Sequence, residues 1–302
     1  MKYVIIALLS AAFARGQEPS LRTRAQPYLE SALAAGDAFV NVSSASGMPN
    51  ISADSLVTAF GANLAPRTES AGPPYPMNLG GITVNVVDSN HAVRYARLLY
   101  VSPGQINYLM PEGTAPGTAT VHIDSEICAA GSPGVFPTEP CGVSSTAQIQ
   151  NVAPALFTAN GNGRGVVVAA AYRSILGGPD PIARPVPVYE CGSPENCVSV
   201  PIDPGLDTPV LLIFYATGLR GRSSDSAVRL TIGGQRITNR TIYFQGDAEL
   251  TCGPVRQICA RAGIDLVVAP LPLSLRGFGE VDVVITSDGR TSNAGRINIG
   301  NN

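Results

Sequence analysis

The sequence has no tryptophan, a single lysine and only two histidines among its 302 residues. Aromatic residues make up 6% of the chain, which leaves little material for a broad aromatic platform of the kind that binds sugars. Charged residues make up 14%, whereas about 25% is usual in globular proteins. The 20 basic and 22 acidic residues give a formal net charge of −2, and no run of basic residues occurs. We therefore expect no nucleic-acid partner.

A second absence is that of long helical patterns. The 32 glycines and 25 prolines are spread along the chain, where they separate short runs rich in β-branched residues. This spacing is typical of many short strands joined by turns, and it argues against alternating strands and helices. The sequence therefore predicts an all-β protein.

The N-terminus has the pattern of a secretory signal peptide over residues 1–14. Lys2 supplies the positive charge, Val4–Ala12 forms the apolar region, and Ala12–Ala14 is the cleavage site. We expect a secreted protein, extracellular or periplasmic after cleavage; a buried N-terminal strand or helix is the alternative. The apolar run is shorter than the roughly 20 residues that span a bilayer, so no membrane span is expected. Residues 15–45 are predicted to form a flexible leader.

Six cysteines fit an oxidising compartment. Spacing alone cannot choose among the 15 possible connectivities of six cysteines. We hypothesise local pairing, because each pair flanks a loop rich in glycine or proline. The alternative is a metal site, but the Cys-x-x-Cys spacing is absent and both histidines are distant in sequence. The hypothesised pairs are Cys128 with Cys141, Cys191 with Cys197, and Cys252 with Cys259.

The chain contains an internal repeat. The segment Tyr100–Pro111 returns in altered form as Gly263–Pro272, and each copy follows one apolar run and precedes another. The repeat predicts two tandem sandwich domains, 46–152 and 153–302, built from strands at intervals of roughly ten residues. Predicted strands of the first domain are Ser55–Gly61, Gly81–Val87, Ala96–Val101, Ile106–Met110 and Ala119–Ile123. Those of the second are Val166–Tyr172, Val210–Tyr215, Val228–Gly234, Gly263–Pro272 and Gly279–Thr286.

An ordered set of motifs over about residues 50–302 resembles the "Solibacter C-terminal" domain family of acidobacterial exported proteins. The resemblance implies an extracellular chain of immunoglobulin-like modules of the IPT/TIG kind, and it implies no reaction. In that family the second copy carries Gln and Asn where this chain has Leu266 and Val268. The motifs are Phe60–Leu64, Leu79–Val84, Tyr100–Pro111, Pro187–Cys191, Val200–Asp203, Tyr215–Ser224 and Gly279–Ile285.

Gln105 and Asn107 are the polar residues of the first copy, which ends at Pro111 as the second ends at Pro272. Because side chains alternate along a strand, we expect the two amides on one face and Ile106 on the other. They form either a polar binding strip or a structural motif that bonds the adjacent turn and fixes strand register. We favour the structural motif.

No catalytic constellation is visible. His91 and His122 lack the nearby nucleophile and acid of a triad. Asp88 and Asp288 lie in candidate calcium loops, but neither has the oxygen-ligand series of a strong calcium motif, and hairpin turns are the ordinary explanation. The run Asn160–Gly165 resembles a phosphate loop but lacks its Lys and helix. Scattered loop carboxylates are Asp203, Asp207, Asp225, Asp247 and Glu249.

These observations favour an exported, non-catalytic β-sandwich protein. It would serve extracellular binding, adhesion, or recognition of carbohydrate or cell surfaces, without cofactor or metal. Its partner would be an extracellular protein or glycan of unknown identity. Two alternatives remain open: a secreted hydrolase that acts on polysaccharide through a loop-borne carboxylate pair, and a purely structural spacer.

Overall fold

The computed structural model describes residues 41–44, 47–125, 141–175, 182–193, 196–206, 210–244 and 262–301. Over these ranges the chain forms β-strands and two short 3-10 helices, Asp225–Ala227 and Leu273–Leu275. The predicted all-β class is confirmed. The chain divides into two compact units between Gln150 and Asn151, two residues before the predicted boundary, and residues 47–48 group with the second unit. No described helix has the length and apolar character needed to cross a membrane.

Unit 1 contains two sheets whose strands are ordered as in an immunoglobulin sandwich. The first sheet has the order β1-β3-β9-β8-β4 and the second β2-β11-β10-β6-β5, with β7 also paired to β6. The strands are β1 Asn41–Ser44, β2 Asn50–Ser52, β3 Leu56–Phe60, β4 Glu69–Ser70, β5 Asn78–Leu79, β6 Ile82–Val87, β7 Val93–Tyr95, β8 Arg97–Ser102, β9 Gln105–Leu109, β10 Gly117–Ser125 and β11 Cys141–Gln150.

The second unit repeats this plan. One sheet has the order β14-β13-β18-β22-β21, with β12 also paired to β18. The other has the order β17-β25-β23-β19-β20, with β24 paired to β23, and β15 and β16 form a separate hairpin. The strands are β12 Ala155–Leu156, β13 Ala169–Ile175, β14 Ile182–Val186, β15 Tyr189–Ser193, β16 Asn196–Ser199, β17 Pro201–Ile202, β18 Val210–Thr217, β19 Arg229–Ile232, β20 Gln235–Ile237, β21 Thr241–Phe244, β22 Asp265–Pro270, β23 Gly279–Ser287, β24 Arg290–Thr291 and β25 Gly295–Ile299.

The equivalence of the units follows from strand order and direction. In immunoglobulin domains the sheets read A-B-E-D and C-F-G. Strands β1-β3-β9-β8 and β13-β18-β22-β21 have the first order, and β6-β10-β11 and β19-β23-β25 have the second. In both units a short strand runs parallel to the last long one: β2 beside β11, and β17 beside β25. We call the two sheets of each unit the ABED sheet and the CFG sheet.

In each unit the described residues form a hydrophobic core to which both sheets contribute. The cause is the period-2 pattern: in β6 the side chains of Ile82, Val84 and Val86 are buried and those between them are not. In unit 1 the core joins Val57, Val101 and Tyr108 of the ABED sheet to these residues and to Val121 of β10. The unit 2 core is built in the same way from Leu212, Phe214, Val267, Leu230, Ile285 and Ile297.

The sequence predictions located the central strands and missed others. Residues 41–44 were predicted to belong to a flexible leader, but they form β1, which pairs with β3. The predicted strand from Val166 begins instead at Ala169, because Val166 and Val167 make only isolated bridges. The long strand β11 was not predicted at all. The signal peptide and the rest of the leader lie outside the described residues.

Candidate functional site

The repeated motif places Gln105 and Asn107 on the outer face of the unit 1 ABED sheet, whereas Ile106 and Tyr108 enter the core. Both amides are fully buried. We expected their hydrogen-bond partners to lie in the adjacent turn, but this expectation was wrong. Asn107 Oδ1 accepts hydrogen bonds from Gln105 Nε2 at 2.8 Å and from Thr58 Oγ1, on the neighbouring strand β3, at 3.0 Å. These three residues form what we call the amide cluster.

The amide cluster is incompletely satisfied. Within the described part of the chain, Gln105 Oε1 and Asn107 Nδ2 have no hydrogen-bond partner. The leucines that share this outer face, Leu56 and Leu99, are buried as well. A burial of this extent means that the amides are not presented to a ligand in solution, so the motif is a structural element in this conformation.

The two motif prolines end their strands in turns. Thr114 donates to the carbonyl of Pro111 through its backbone N–H at 3.3 Å and through its hydroxyl at 2.6 Å. Pro272 precedes the helix Leu273–Leu275, and its carbonyl accepts from the Leu275 N–H at 3.1 Å. Proline suits both positions because it fixes φ and leaves no donor to satisfy.

One of the three hypothesised disulfides lies within the described residues. Cys191 and Cys197 face each other across the hairpin β15–β16 and are covalently joined. Asn160 holds the same hairpin to the rest of unit 2, since its Oδ1 accepts a hydrogen bond from the Cys197 N–H at 2.8 Å. Cys128, Cys252 and Cys259 lie outside the described residues, and Cys141 is described only as the first residue of β11.

The run Asn160–Gly165, which resembled a phosphate loop, is a turn. It is closed by the antiparallel bridge between Thr158 and Val167 and by a hydrogen bond from the Gly163 N–H to Thr158 Oγ1 at 3.0 Å. Strand β13 follows it, and among the described residues no helix N-terminus points toward the loop. Its amide groups serve the fold of unit 2.

The two histidines lie apart in unit 1. His91 is exposed at the turn between β6 and β7, with a positive φ of 62°. His122 lies on the outward side of β10, where it is half-buried. Among the carboxylates singled out from the sequence, Asp203 pairs with Arg173 at 3.3 Å and Asp225 with Arg222 at 2.6 Å. Asp207, Asp247 and Glu249 lie outside the described residues.

Asp88 organises the turn after β6. Its Oδ1 accepts from the backbone N–H groups of Asn90 and Ala92, and its Oδ2 from the N–H of Ala115 at 3.0 Å and from the Arg94 guanidinium. The hydrogen bond from Ala115, followed by those from the turn, holds the pKa of this carboxyl below its usual range. A carboxylate engaged by four donors has little capacity left for a metal ion.

Asp288, the other candidate calcium ligand, is occupied in a similar way. The hydroxyl and the backbone N–H of Ser223 both donate to it, and these bonds lower the pKa of its carboxyl. Within the described ranges no group of three or more His, Cys, Asp or Glu side chains is placed to hold a metal ion.

Sequence reasoning missed the buried acid of unit 2, Asp265. Its Oδ2 accepts from the Leu219 N–H at 2.9 Å and its Oδ1 from Arg220 Nε at 3.3 Å. Burial raises the pKa of the Asp265 carboxyl, and the Arg220 charge opposes that rise. The sequence does contain both partners, since an aspartate is the third residue of the second motif copy and two arginines lie in the loop after β18. Asp265 ties that loop to β22 and is closed to solvent.

A further candidate surface is the outer face of the unit 1 CFG sheet, which is formed by β7, β6, β10 and β11 and is lined mainly by uncharged polar side chains. We call it the open face. Tyr95 is 54% exposed on it, and no hydrogen bond to the Tyr95 hydroxyl or the His122 ring forms among the described residues. The residues of the open face are Thr83, Asn85, Val87, Val93, Tyr95, Thr118, Thr120, His122, Asp124, Gly142, Ser144, Thr146 and Gln148.

The equivalent face of unit 2 is charged and internally paired. Arg296 on β25 contacts both Glu280 at 3.5 Å and Asp282 at 3.4 Å on β23. Ser199 donates to Glu280 at 2.8 Å, and Arg229 lies farther along the same face on β19. Exposed ion pairs of this kind contribute little to stability, but they occupy the groups that a ligand would need.

Comparison with known proteins adds little. No family model matches the chain, and no curated protein matches it. A crystal structure from Bacteroides vulgatus that carries the name "bacterial DNA binding protein" is similar over 34% of this chain and 41% of that one, at 18% identity. Its TM-score of 0.24 is too low to bear on fold or function. The resemblance to the Solibacter C-terminal family stays a prediction.

Proposed function

We propose that this protein is an exported, non-catalytic β-sandwich protein that binds an extracellular protein or glycan through the exposed surface of its sandwiches. The observation that carries the proposal is the open face of unit 1. It presents an exposed tyrosine and a series of polar side chains on four hydrogen-bonded strands, so its side chains are held on a rigid support. Rigid placement reduces the entropy lost on binding.

Export is supported by two separate observations. Residues 1–14 have the charge, the apolar run and the small residues of a cleaved signal. The Cys191–Cys197 disulfide is of a kind that persists in oxidising compartments and is rare in the cytosol. N-terminal sequencing of the mature protein should begin at Arg15 or within a few residues of it. An intact Met1 on protein recovered from the producing cell's exterior would contradict the proposed signal.

A non-catalytic role is supported by what the described acids do. Asp203 and Asp225 are paired with arginine, and Asp88 and Asp288 accept hydrogen bonds from turns. A hydrolase of polysaccharide needs two facing carboxylates, one of them free to donate a proton. These four are committed elsewhere, which favours a binding protein over the hydrolase alternative.

The test is a paired screen of the mature chain. We expect binding on an array of glycans, cell-wall fractions and extracellular proteins, and no turnover in a broad hydrolase screen. Turnover that a single carboxylate substitution abolishes would overturn the non-catalytic assignment. Absence of both binding and turnover would favour the structural spacer instead.

A further inference from the structure

The open face of unit 1 is organised as rows of residues that lie directly opposite one another across the strands. One row runs Tyr95, Asn85, His122, Ser144 across β7, β6, β10 and β11. Because opposed residues in an antiparallel sheet share a face, all four side chains project to the same side. The row therefore sets one aromatic ring at one end of a line of amide, imidazole and hydroxyl groups.

A carboxylate lies beside this row in a fixed position. Asp124 neighbours His122 on β10, and its Oδ2 accepts a hydrogen bond from Asn85 Nδ2 at 2.8 Å. Its other oxygen occupies space that only glycine leaves open: a Cβ on Gly142 of β11 would lie 2.6 Å from Asp124 Oδ1. Asn85 and Gly142 thus place the carboxylate from two sides, and Oδ1 retains capacity to accept.

The charge on the face narrows the class of ligand. Asp124 is the only acidic residue of the open face, and the face carries no lysine or arginine. An anionic polymer requires basic groups, which the open face lacks. A stable protein interface requires a central apolar cluster, and the apolar side chains here are the small Val87 and Val93 beside Tyr95. A neutral ligand that is rich in hydroxyl groups and has one apolar side meets these conditions.

We propose that the open face binds a neutral oligosaccharide, with one pyranose ring stacked on Tyr95. This inference rests on the proposed function and names its ligand class. The Tyr95 ring covers the apolar face of the sugar, since an aromatic ring joins apolar area to a polar tip. Asp124 Oδ1 accepts from one ring hydroxyl, and His122 bonds a neighbouring one. A charge-assisted acceptor is the stronger of the two contacts.

The experiment uses the mature full-length chain and isothermal titration with neutral gluco-, xylo- and manno-oligosaccharides, with oligogalacturonate as the anionic comparison. We expect a neutral series to bind and oligogalacturonate to bind at least tenfold more weakly. Tyr95→Ala and Asp124→Asn should each weaken binding about tenfold, equivalent to roughly 1.4 kcal/mol. Gly142→Ala should also weaken binding, although it removes no group that contacts the sugar, because the added Cβ displaces the Asp124 carboxylate.

Matched controls separate the site from the fold. Gly72→Ala lies in unit 1 outside the open face, and Arg296→Ala lies on the unit 2 face; both should bind as the parent does. Circular dichroism of each variant confirms folding. Glycan binding that Tyr95→Ala and Asp124→Asn leave unchanged would overturn this assignment and leave the proposed function intact. Exclusive binding of a protein or an anionic glycan would also overturn it, and absence of any binding would overturn both.

Discussion

The outer faces of the two ABED sheets carry buried residues at matching positions, but these residues are polar in unit 1 and apolar in unit 2. In unit 1 the face carries the amide cluster of Thr58, Gln105 and Asn107. The register of the motif strands puts Ile213, Leu266 and Val268 at the same three places in unit 2. All six residues are buried. The polar set of one unit is thus replaced as a whole by an apolar set in the other.

The comparison teaches that these positions act together. A buried hydroxyl or amide is tolerated when a partner satisfies it, and an apolar residue needs no partner. A mixture of the two sets would leave a buried polar group opposite an aliphatic side chain. The motif therefore supports strand pairing in both units, and its buried positions are filled either by hydrogen-bonded polar residues or by apolar residues.

The largest effect on the free energy of unfolding is expected from a substitution in the loop after β18, which differs in packing from the loop after β3. Asn63 in unit 1 and Gly218 in unit 2 both have positive φ, 56° and 83°, and each precedes a buried leucine. Asparagine tolerates this conformation, so backbone strain does not separate the sites. A Cβ on Gly218, however, would lie 1.9 Å from the Ala153 carbonyl oxygen. We expect Gly218→Asn to destabilise unit 2 by about 3 kcal/mol.

The reciprocal change, Asn63→Gly, should cost less than about 1 kcal/mol, since it only adds freedom to the unfolded chain. Urea unfolding of both variants measures the difference, and hydrogen exchange locates it in one unit. Gly72→Ala is a control, because no atom lies within 4 Å of its added Cβ. Equal losses for Gly218→Asn and Asn63→Gly would show that the two loops do not differ in packing.

Breaking the amide cluster alone should have the next largest effect. Asn107→Val removes the acceptor used by Thr58 Oγ1 and Gln105 Nε2, and both groups stay buried. We expect a loss of about 2 kcal/mol in unfolding free energy. Urea unfolding measures it, with Thr146→Ala on the open face as a surface control. A loss of less than about 0.5 kcal/mol would mean that these hydrogen bonds contribute nothing net.

Low pH should destabilise unit 1 because it protonates Asp88. The corresponding unit 2 turn, between β19 and β20, uses Gly233 and Gly234 and no carboxylate. Because the folded-state pKa of Asp88 lies below its ordinary 3.8, its contribution is complete above that value and is lost as the pH falls through the folded pKa. Asp88→Asn should lower stability at pH 7, and the difference from the parent should narrow as the pH falls below 3.8 toward pH 3.

Chemical denaturation at both pH values checks this expectation. A constant difference between Asp88→Asn and the parent from pH 7 to pH 3 would contradict it. Asp124→Asn is the control, since that carboxylate lies on the open face and, within the described ranges, accepts a hydrogen bond from Asn85 alone.

The smallest expected effect concerns Tyr108, which enters the unit 1 core where unit 2 has Ala269. Its hydroxyl has no hydrogen-bond partner among the described residues, and burial raises the pKa of its phenol. Tyr108→Phe removes that unsatisfied group and keeps the ring. We expect unchanged stability or a gain of up to about 1 kcal/mol. A loss above about 1 kcal/mol would reveal a partner for the hydroxyl.

Much of the fold was predictable because the central strands are apolar and alternate. The segments proposed around β3, β6, β8, β9 and β10 in unit 1, and around β18, β19, β22 and β23 in unit 2, match the structure closely, whereas β21, the counterpart of β8, was not predicted. Strand β11 was missed because its inward residues, Val143, Ala147 and Ile149, are separated by serine, threonine and glutamine. Polar residues of this kind are also typical of loops, so local composition gave no clear signal.

The sites were less predictable because they depend on register. Parity placed Gln105 and Asn107 on one face, but their partner Thr58 lies 49 residues from Asn107 and is fixed only by the pairing of β3 with β9. The row from Tyr95 to Ser144 requires three such pairings. Asp265 was overlooked because the sequence does not show that the loop after β18, which carries Arg220, lies beside the start of β22.

The central claim, that the repeated motif holds the fold and does not bind a ligand, is tested by giving unit 1 the unit 2 pattern. The triple variant Thr58→Ile, Gln105→Leu, Asn107→Val is compared with the parent by urea unfolding and by the glycan and protein binding screen. We expect unfolding free energy within about 1 kcal/mol of the parent's, recovering the loss caused by Asn107→Val alone, with unchanged binding. A stably folded triple variant that no longer binds would contradict the claim and make the amides a recognition site.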